Sequence, residues 1–163
     1  MSSEISLQIS KIDDVQHIML FLKKFWKKNH ILSKNFEVFK FFYFDKNKVN
    51  FIIAKTNNKI VGVMGFIPNS RYSYIRINKF DIVWPSVLCV NNKFPGVGIK
   101  IFNYYHQKFI NKNFGLINFN LKAKIFYKIF NYKLYKMNHY YMINENLEKP
   151  EILKNNKVQK KNN

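Results

Sequence analysis

A proline stands in the middle of the segment that otherwise reads as a central strand. Residues 81–90 (DIVWPSVLCV) are apolar enough for burial, yet Pro85 lacks the N–H that a paired central strand donates. The ladder is therefore expected to break there. A β-bulge is the natural solution, because it leaves one residue unpaired and bends the strand away from a neighbour, opening a wedge in the sheet. Directly after this strand stands Lys93-Phe94-Pro95-Gly96-Val97-Gly98, and then helical spacing through Ile99, Phe102, Tyr105 and Phe109. A strand, a glycine loop and a helix start in that order form an anion site. The first helical turn has unpaired N–H groups and a partial positive charge, and glycine lets the backbone come close to a phosphate. The dinucleotide fingerprint wants a third glycine, where Ile101 stands instead. Taken alone, such a glycine pair is equally an ordinary turn into a helix.

At 163 residues the chain suits one domain with a real core. Residues 1–144 are expected to form it, with the polar residues 145–163 as a disordered tail. Hydrophobic residues make up 47% and aromatics 18%, which excludes a disordered or repeat protein. The single cysteine, Cys89, cannot form an internal disulfide. Neither a signal peptide nor a run of about 20 uncharged apolar residues is visible, so a cytoplasmic protein without a membrane span is expected. The formal charge of +19 comes from 26 Lys against 2 Arg, in company with abundant Asn, Ile, Phe and Tyr, all residues with A/T-rich codons. Phosphate recognition favours the planar fork of Arg. The charge thus argues weakly for a nucleic-acid surface and equally well for an anionic cosubstrate.

The first half reads as scaffold. Residues 5–10 alternate as a short strand. A helix capped by Asp13 or Asp14 follows, its stripe formed by Val15, Ile18, Met19, Leu22, Phe25 and Trp26. Its lysines would also suit a membrane surface, but a surface helix with one buried stripe is the ordinary explanation. Ser33 or Asn35 starts a second helix, whose one acid is Glu37. Residues 51–56 and 59–66 are β-formers separated by Asn57-Asn58, a pair tolerant of the positive φ of a tight hairpin. Residues 68–76 form a polar loop, either substrate-facing or a plain connection.

After an expected strand at 115–119, the chain reads Asn120-Leu121-Lys122-Ala123-Lys124-Ile125-Phe126-Tyr127-Lys128-Ile129-Phe130-Asn131-Tyr132. Together with the glycine loop this resembles the GNAT superfamily of acyl-CoA-dependent N-acyltransferases. There a Q/R-x-x-G-x-G/A loop is followed, one helix and one strand later, by N-x-x-A-x-x-x-Y-x-x-x-G-F. Lys93 stands where the family prefers Gln or Arg, Gly96 and Gly98 match, and so do Asn120, Ala123 and Tyr127. Asn131-Tyr132 replaces Gly-Phe, a mild change because Asn is the best non-Gly occupant of a left-handed helix stop. The resemblance covers residues 80–143 closely and the rest by element order. It implies an α/β fold with a mixed central sheet, a bulged central strand and about four flanking helices.

The resemblance also implies a chemistry: acetyl transfer from acetyl-CoA to a primary amine of a small molecule, with no metal. The pantetheine arm would pair with backbone at Leu88, Cys89 and Val90, and the pyrophosphate would lie on Gly96, Val97, Gly98, Ile99 and Lys100, with Lys93 and Asn120 beside it. A backbone N–H near Val90 would stabilise the oxyanion. Tyr127 would protonate the departing thiolate, since an ordinary tyrosine keeps its proton at neutral pH. With the terminal and capping acids set aside, Asp81 and then Glu37 are the candidates for general base. His17, His30, His106 and His139 show no metal-ligand spacing, and Cys89 reads as a buried strand residue rather than a nucleophile. The general look of residues 30–32 and 65–68 is similar to GNAT proteins of bacterial surface-polysaccharide synthesis, whose acceptors are amino sugars. Polyamines, aminoglycosides and protein amines are the alternatives, and the positive charge argues against a polycation. Two competing functions are a basic RNA-binding module and a GNAT-fold protein that binds CoA without catalysis. Self-association as a homodimer stays open.

Overall fold

The structure is a computed structural model that describes residues 4–72, 82–116 and 123–135. The chain divides into two compact units, Met1–Phe119 and Asn120–Asn163.

The first unit is built on a five-stranded mixed sheet. Its strands are β1 (Ser6–Ile9), β4 (Phe51–Thr56), β5 (Lys59–Pro68), β6 (Ile82–Val90) and β7 (Asn113–Phe114), side by side in that order. The pairs β1–β4, β4–β5 and β5–β6 are antiparallel, and β7 runs parallel to β6. A two-stranded ribbon, β2 (Phe44–Asp45) and β3 (Lys48–Val49), stands apart from this sheet. The helices are α1 (Val15–Phe25), α2 (Phe36–Tyr43) and α3 (Val97–Lys108). This is the expected mixed α/β architecture with a bulged inner strand, and α4 (Lys124–Ile129) in the second unit completes four helices among the described residues.

The local signals are realised with few exceptions. Asn57 and Asn58 take φ of 47° and 60°, the paired left-handed conformation that lets a two-residue turn follow the strand twist. Asn35 caps α2, its Oδ1 accepting the Val38 N–H at 3.0 Å. Asp14 precedes α1 but does not cap it. Its carboxylate instead accepts the Lys11 N–H at 2.9 Å and pairs with Lys55 Nζ at 2.8 Å, tying the short turn before α1 to β4.

One core lies between α1, α2 and the sheet. It joins Ile18, Leu22, Phe39 and Tyr43 to Phe51, Ile53, Val63, Val87 and Cys89. α3 packs elsewhere, and Gly62 makes its close approach feasible. A Cβ at Gly62 would stand 2.8 Å from Ile101 Cδ1 and 2.9 Å from Val97 Cγ1, closer than packed carbon atoms come.

The second unit contains α4. Asn131 adopts φ of 58°, the Asn131 N–H donates to the Lys128 carbonyl at 3.0 Å, and the Tyr132 N–H donates to the Tyr127 carbonyl at 3.1 Å. These two bonds are a Schellman closure, so asparagine does terminate the helix in the left-handed conformation.

Candidate functional site

The strand β6 carries the interruption that Pro85 demands. Its register with β5 runs Gly65↔Val87 on one side of the break and Phe66↔Pro85 on the other, which leaves Ser86 as the extra residue. The proline is harmless to this ladder. The Phe66 N–H donates to the Asn50 carbonyl at 3.0 Å, so Phe66 turns away from β6 and Pro85, opposite it, faces the β7 side.

That placement explains where β7 stops. The parallel pairing covers Ile82↔Asn113 and Val83↔Phe114 and goes no further among the described residues. The Tyr105 hydroxyl donates to the Val83 carbonyl at 2.8 Å, and the next residue facing β7, Pro85, has no N–H to offer. Beyond Val83 the two strands pair no further among the described residues, and this is the place of the expected wedge.

Which backbone groups line the wedge follows from the alternation of an antiparallel ladder. The register Gly62↔Val90 sets Asn91 opposite Val61, and the Asn91 N–H donates to the Val61 carbonyl at 2.9 Å. Bonded pairs alternate, so Cys89 and Val87 direct their N–H and C=O toward β5. Leu88 and Val90 direct theirs to the open side. Of the three residues expected to meet the pantetheine arm, two thus face the wedge, while Cys89 is bonded toward β5 through its backbone. Its side chain is 5% exposed in the core beside α1 and α2, and burial pushes the thiol up to about 11. Such a thiol is protonated at neutral pH and poorly nucleophilic.

After β6 the chain makes a short turn. Asn91 Oδ1 accepts the Lys93 N–H at 3.1 Å, and the Asn91 carbonyl accepts the Phe94 N–H at 2.9 Å. Gly96 then takes φ of +82° as the residue before α3, and a Cβ there would meet nothing within 4 Å. Within the first turn of α3 the Val97 N–H donates to the Phe94 carbonyl at 3.4 Å, and the Lys100 N–H to the Gly96 carbonyl at 3.2 Å. No side chain caps the helix, so the N–H groups of Gly98 and Ile99 are the ones left for a ligand among the described residues. Gly98 lies over the wedge-facing strand residues: its Cβ would fall 3.7 Å from Val90 Cγ2 and 3.9 Å from Leu88 Cδ2. Lys93 and Lys100 are exposed near these donors in sequence, and Val97 is buried beneath them. Open space, two unpartnered donors and a helix N-terminus suit an anionic group such as a pyrophosphate.

Glu37 is exposed in the first turn of α2, roughly 9 Å along the helix axis from Tyr43. Asp81 and Asn120 lie outside the described residues, as do His139 and the expected tail. Tyr127 is buried on α4 of the second unit, its ring 5.8 Å from that of Tyr132, and burial raises its pKa above the usual tyrosine value. The strand expected at 115–119 is not found in its described part: β7 covers Asn113–Phe114, Gly115 and Leu116 belong to no strand, and residues 117–119 lie outside the described residues. A separate groove of about 590 Å³ between α1 and the β4–β5 turn, walled by Leu20, Phe25, Lys24 and Lys59, contains none of the expected site residues.

No family model matches the chain, and no curated protein matches it. Solved structures do. The aminoglycoside N-acetyltransferase AAC(6')-Iy in complex with CoA superposes with a TM-score of 0.64 at 12% identity, over 88% of this chain and 97% of that one. The aminoglycoside acetyltransferase meta-AAC0020 from an uncultured soil metagenomic sample, in complex with trehalose, gives 0.60 at 19% identity over 86% and 97%. A GNAT family acetyltransferase, SP0256 from Streptococcus pneumoniae TIGR4, gives 0.55 at 14% identity over 87% and 99%.

Proposed function

We propose that this chain, which has the fold of the GNAT acetyltransferases, transfers an acetyl group from acetyl-CoA to the primary amine of a small molecule. The observation that carries the reading is the wedge itself. Among the described residues, β6 pairs with β7 no further than Val83 and runs into a glycine loop followed by two unpartnered helix donors, at Gly98 and Ile99.

Each part of the chain then has a task. The outward N–H and C=O groups of Leu88 and Val90 pair with the amides of the pantetheine arm, as a neighbouring strand would. Gly98 and Ile99 donate to the pyrophosphate, with Lys93 and Lys100 supplying positive charge around it. Bound acetyl-CoA supplies a thioester whose carbonyl carbon accepts the amine and whose sulfur departs with the bonding electrons. The Val90 N–H is a fixed dipole suited to the oxygen that becomes negative. Tyr127 gives its proton to the sulfur, and its raised pKa keeps that proton in place at neutral pH. Asp81 or Glu37 receives the proton that the amine loses. An amino sugar is the acceptor proposed first. CoA in the complex of one structural relative, and the aminoglycoside acetyltransferase names of two, support the general reading.

Thermal unfolding with and without acetyl-CoA tests it. At about 100 times the dissociation constant a specific ligand adds roughly 2.7 kcal/mol. Absence of any rise at millimolar acetyl-CoA refutes the assignment.

A further inference from the structure

The bulge in β6 also places a hydroxyl pair on the stretch of this strand that pairs with no β7 residue among the described residues. Ser86 is the extra residue, and a bulge turns two consecutive side chains to the same face, here the face covered by α2. Val87 takes the core position, whereas Ser86 is exposed. Its Oγ lies 3.0 Å from the hydroxyl of Tyr43, the last residue of α2. Gly65 opposite the break makes the room, since a Cβ there would stand 2.7 Å from Ser86 Oγ and 2.9 Å from Tyr43 Cε1.

Among the described residues the surroundings are aromatic and include the cation Arg71. Arg71 Nη2 donates to the Lys40 carbonyl at 3.3 Å and to the Phe41 carbonyl, so the guanidinium caps the C-terminal end of α2 where the helix dipole favours positive charge. Its Cζ lies 5.7 Å from the centroid of the Tyr72 ring, and that ring is 6.3 Å from Phe41. Tyr72 and Phe41 are 51% and 62% exposed, which leaves two ring faces open to a ligand. Burial raises the pKa of Tyr43 despite its bond to Ser86, and the nearby Tyr72 adds to the rise, so Tyr43 stays a neutral hydroxyl.

We infer that Ser86 and Tyr43 form the acceptor subsite, where Ser86 Oγ accepts a hydrogen bond from the incoming amine, and that the acceptor is a monoamine bearing hydroxyl groups. This rests on the acetyltransferase reading. A nucleophilic amine is uncharged and presents N–H groups, which need a lone pair such as that of Ser86. The Tyr43 hydroxyl shares a hydrogen bond with the same oxygen and holds it in place. The hydroxyls of the acceptor find a further partner in the exposed Tyr72, and its carbon skeleton rests against the ring faces. Arg71 brings a positive charge beside this pair, so the second ammonium of a polyamine is repelled. Ser86 is a positioning residue for the amine, separate from the proton donor.

The experiment is steady-state kinetics with glucosamine, ethanolamine and spermidine as acceptors, on the wild type, Ser86→Ala, Ser86→Thr and Tyr43→Phe. One or both hydroxylated monoamines are expected to be acetylated in preference to spermidine. Ser86→Ala and Tyr43→Phe should raise KM for the amine roughly three- to tenfold, as expected for one lost hydrogen bond. KM for acetyl-CoA should stay unchanged, and Ser86→Thr should restore most of the loss. An unchanged amine KM in both variants overturns the inference, as does a preference for spermidine. Acetyl-CoA binding without transfer to either monoamine also overturns it, leaving the cofactor reading in place, whereas absence of acetyl-CoA binding removes that reading first. If Ser86→Ala fails to fold, Tyr43→Phe decides alone, because it keeps the ring packed.

Discussion

Replacing Gly98 by valine separates the needs of the fold from those of the ligand. At this position a Cβ would sit 3.7 Å from Val90 Cγ2 and 3.9 Å from Leu88 Cδ2, both ordinary contacts. Inside a helix, valine is better than glycine by a few tenths of a kcal/mol. The unliganded variant should therefore keep its stability to within about 1 kcal/mol, or roughly 2–4 °C in Tm for a chain of this size. The added methyl groups project over Leu88 and Val90, the space assigned to the pantetheine and pyrophosphate. For the wild type, acetyl-CoA at about 100 times its dissociation constant contributes roughly 2.7 kcal/mol, or about 5–11 °C. Most of that rise should vanish in Gly98→Val. Gly96→Val provides the contrast. Its neighbourhood is open, but φ of +82° costs a side chain about 1–3 kcal/mol, so this variant should lose stability before any ligand is added. Differential scanning fluorimetry across an acetyl-CoA titration reads both effects. A Gly98→Val protein with normal stability and an undiminished rise would refute the placement of the cosubstrate on this loop.

Two further outcomes are expected. Tyr127→Phe should leave acetyl-CoA affinity nearly unchanged and lower kcat and kcat/KM together by ~10² to 10⁴, the usual effect of losing a general acid; full activity in the Phe variant would exclude Tyr127 as the donor. For Asp14, burial opposes ionisation, but the Lys11 N–H and the Lys55 ammonium outweigh it and hold the carboxyl below its ordinary 3.8. A lowered folded-state pKa means that the stabilisation is complete above pH 3.8 and disappears as pH falls through the lowered value. Urea denaturation from pH 6 to pH 2 should show a component of acid destabilisation that Asp14→Ala lacks, and identical pH profiles would contradict this.

Much of the fold was legible in the sequence wherever short-range sterics decide. Asn57-Asn58 and Asn131 adopt the left-handed conformation, Asn35 caps α2, and Gly96 takes the positive φ before α3, because each depends on atoms a few residues away. Pro85 announced an interruption from its missing N–H alone, and the strand, glycine loop and helix followed in order. The sequence could not say which groups face the wedge. That depends on the phase of the β5–β6 ladder, fixed by Asn91 bonding to Val61 thirty residues earlier, and this phase turns Leu88 and Val90 outward and Cys89 inward. Nor could it pair Ser86 with Tyr43, 43 positions apart, or reveal the Tyr105 hydroxyl on the Val83 carbonyl where β7 ends. The identity of a residue sets its own backbone preferences, whereas a site is made of side chains and backbone groups that only the packing of distant elements brings together.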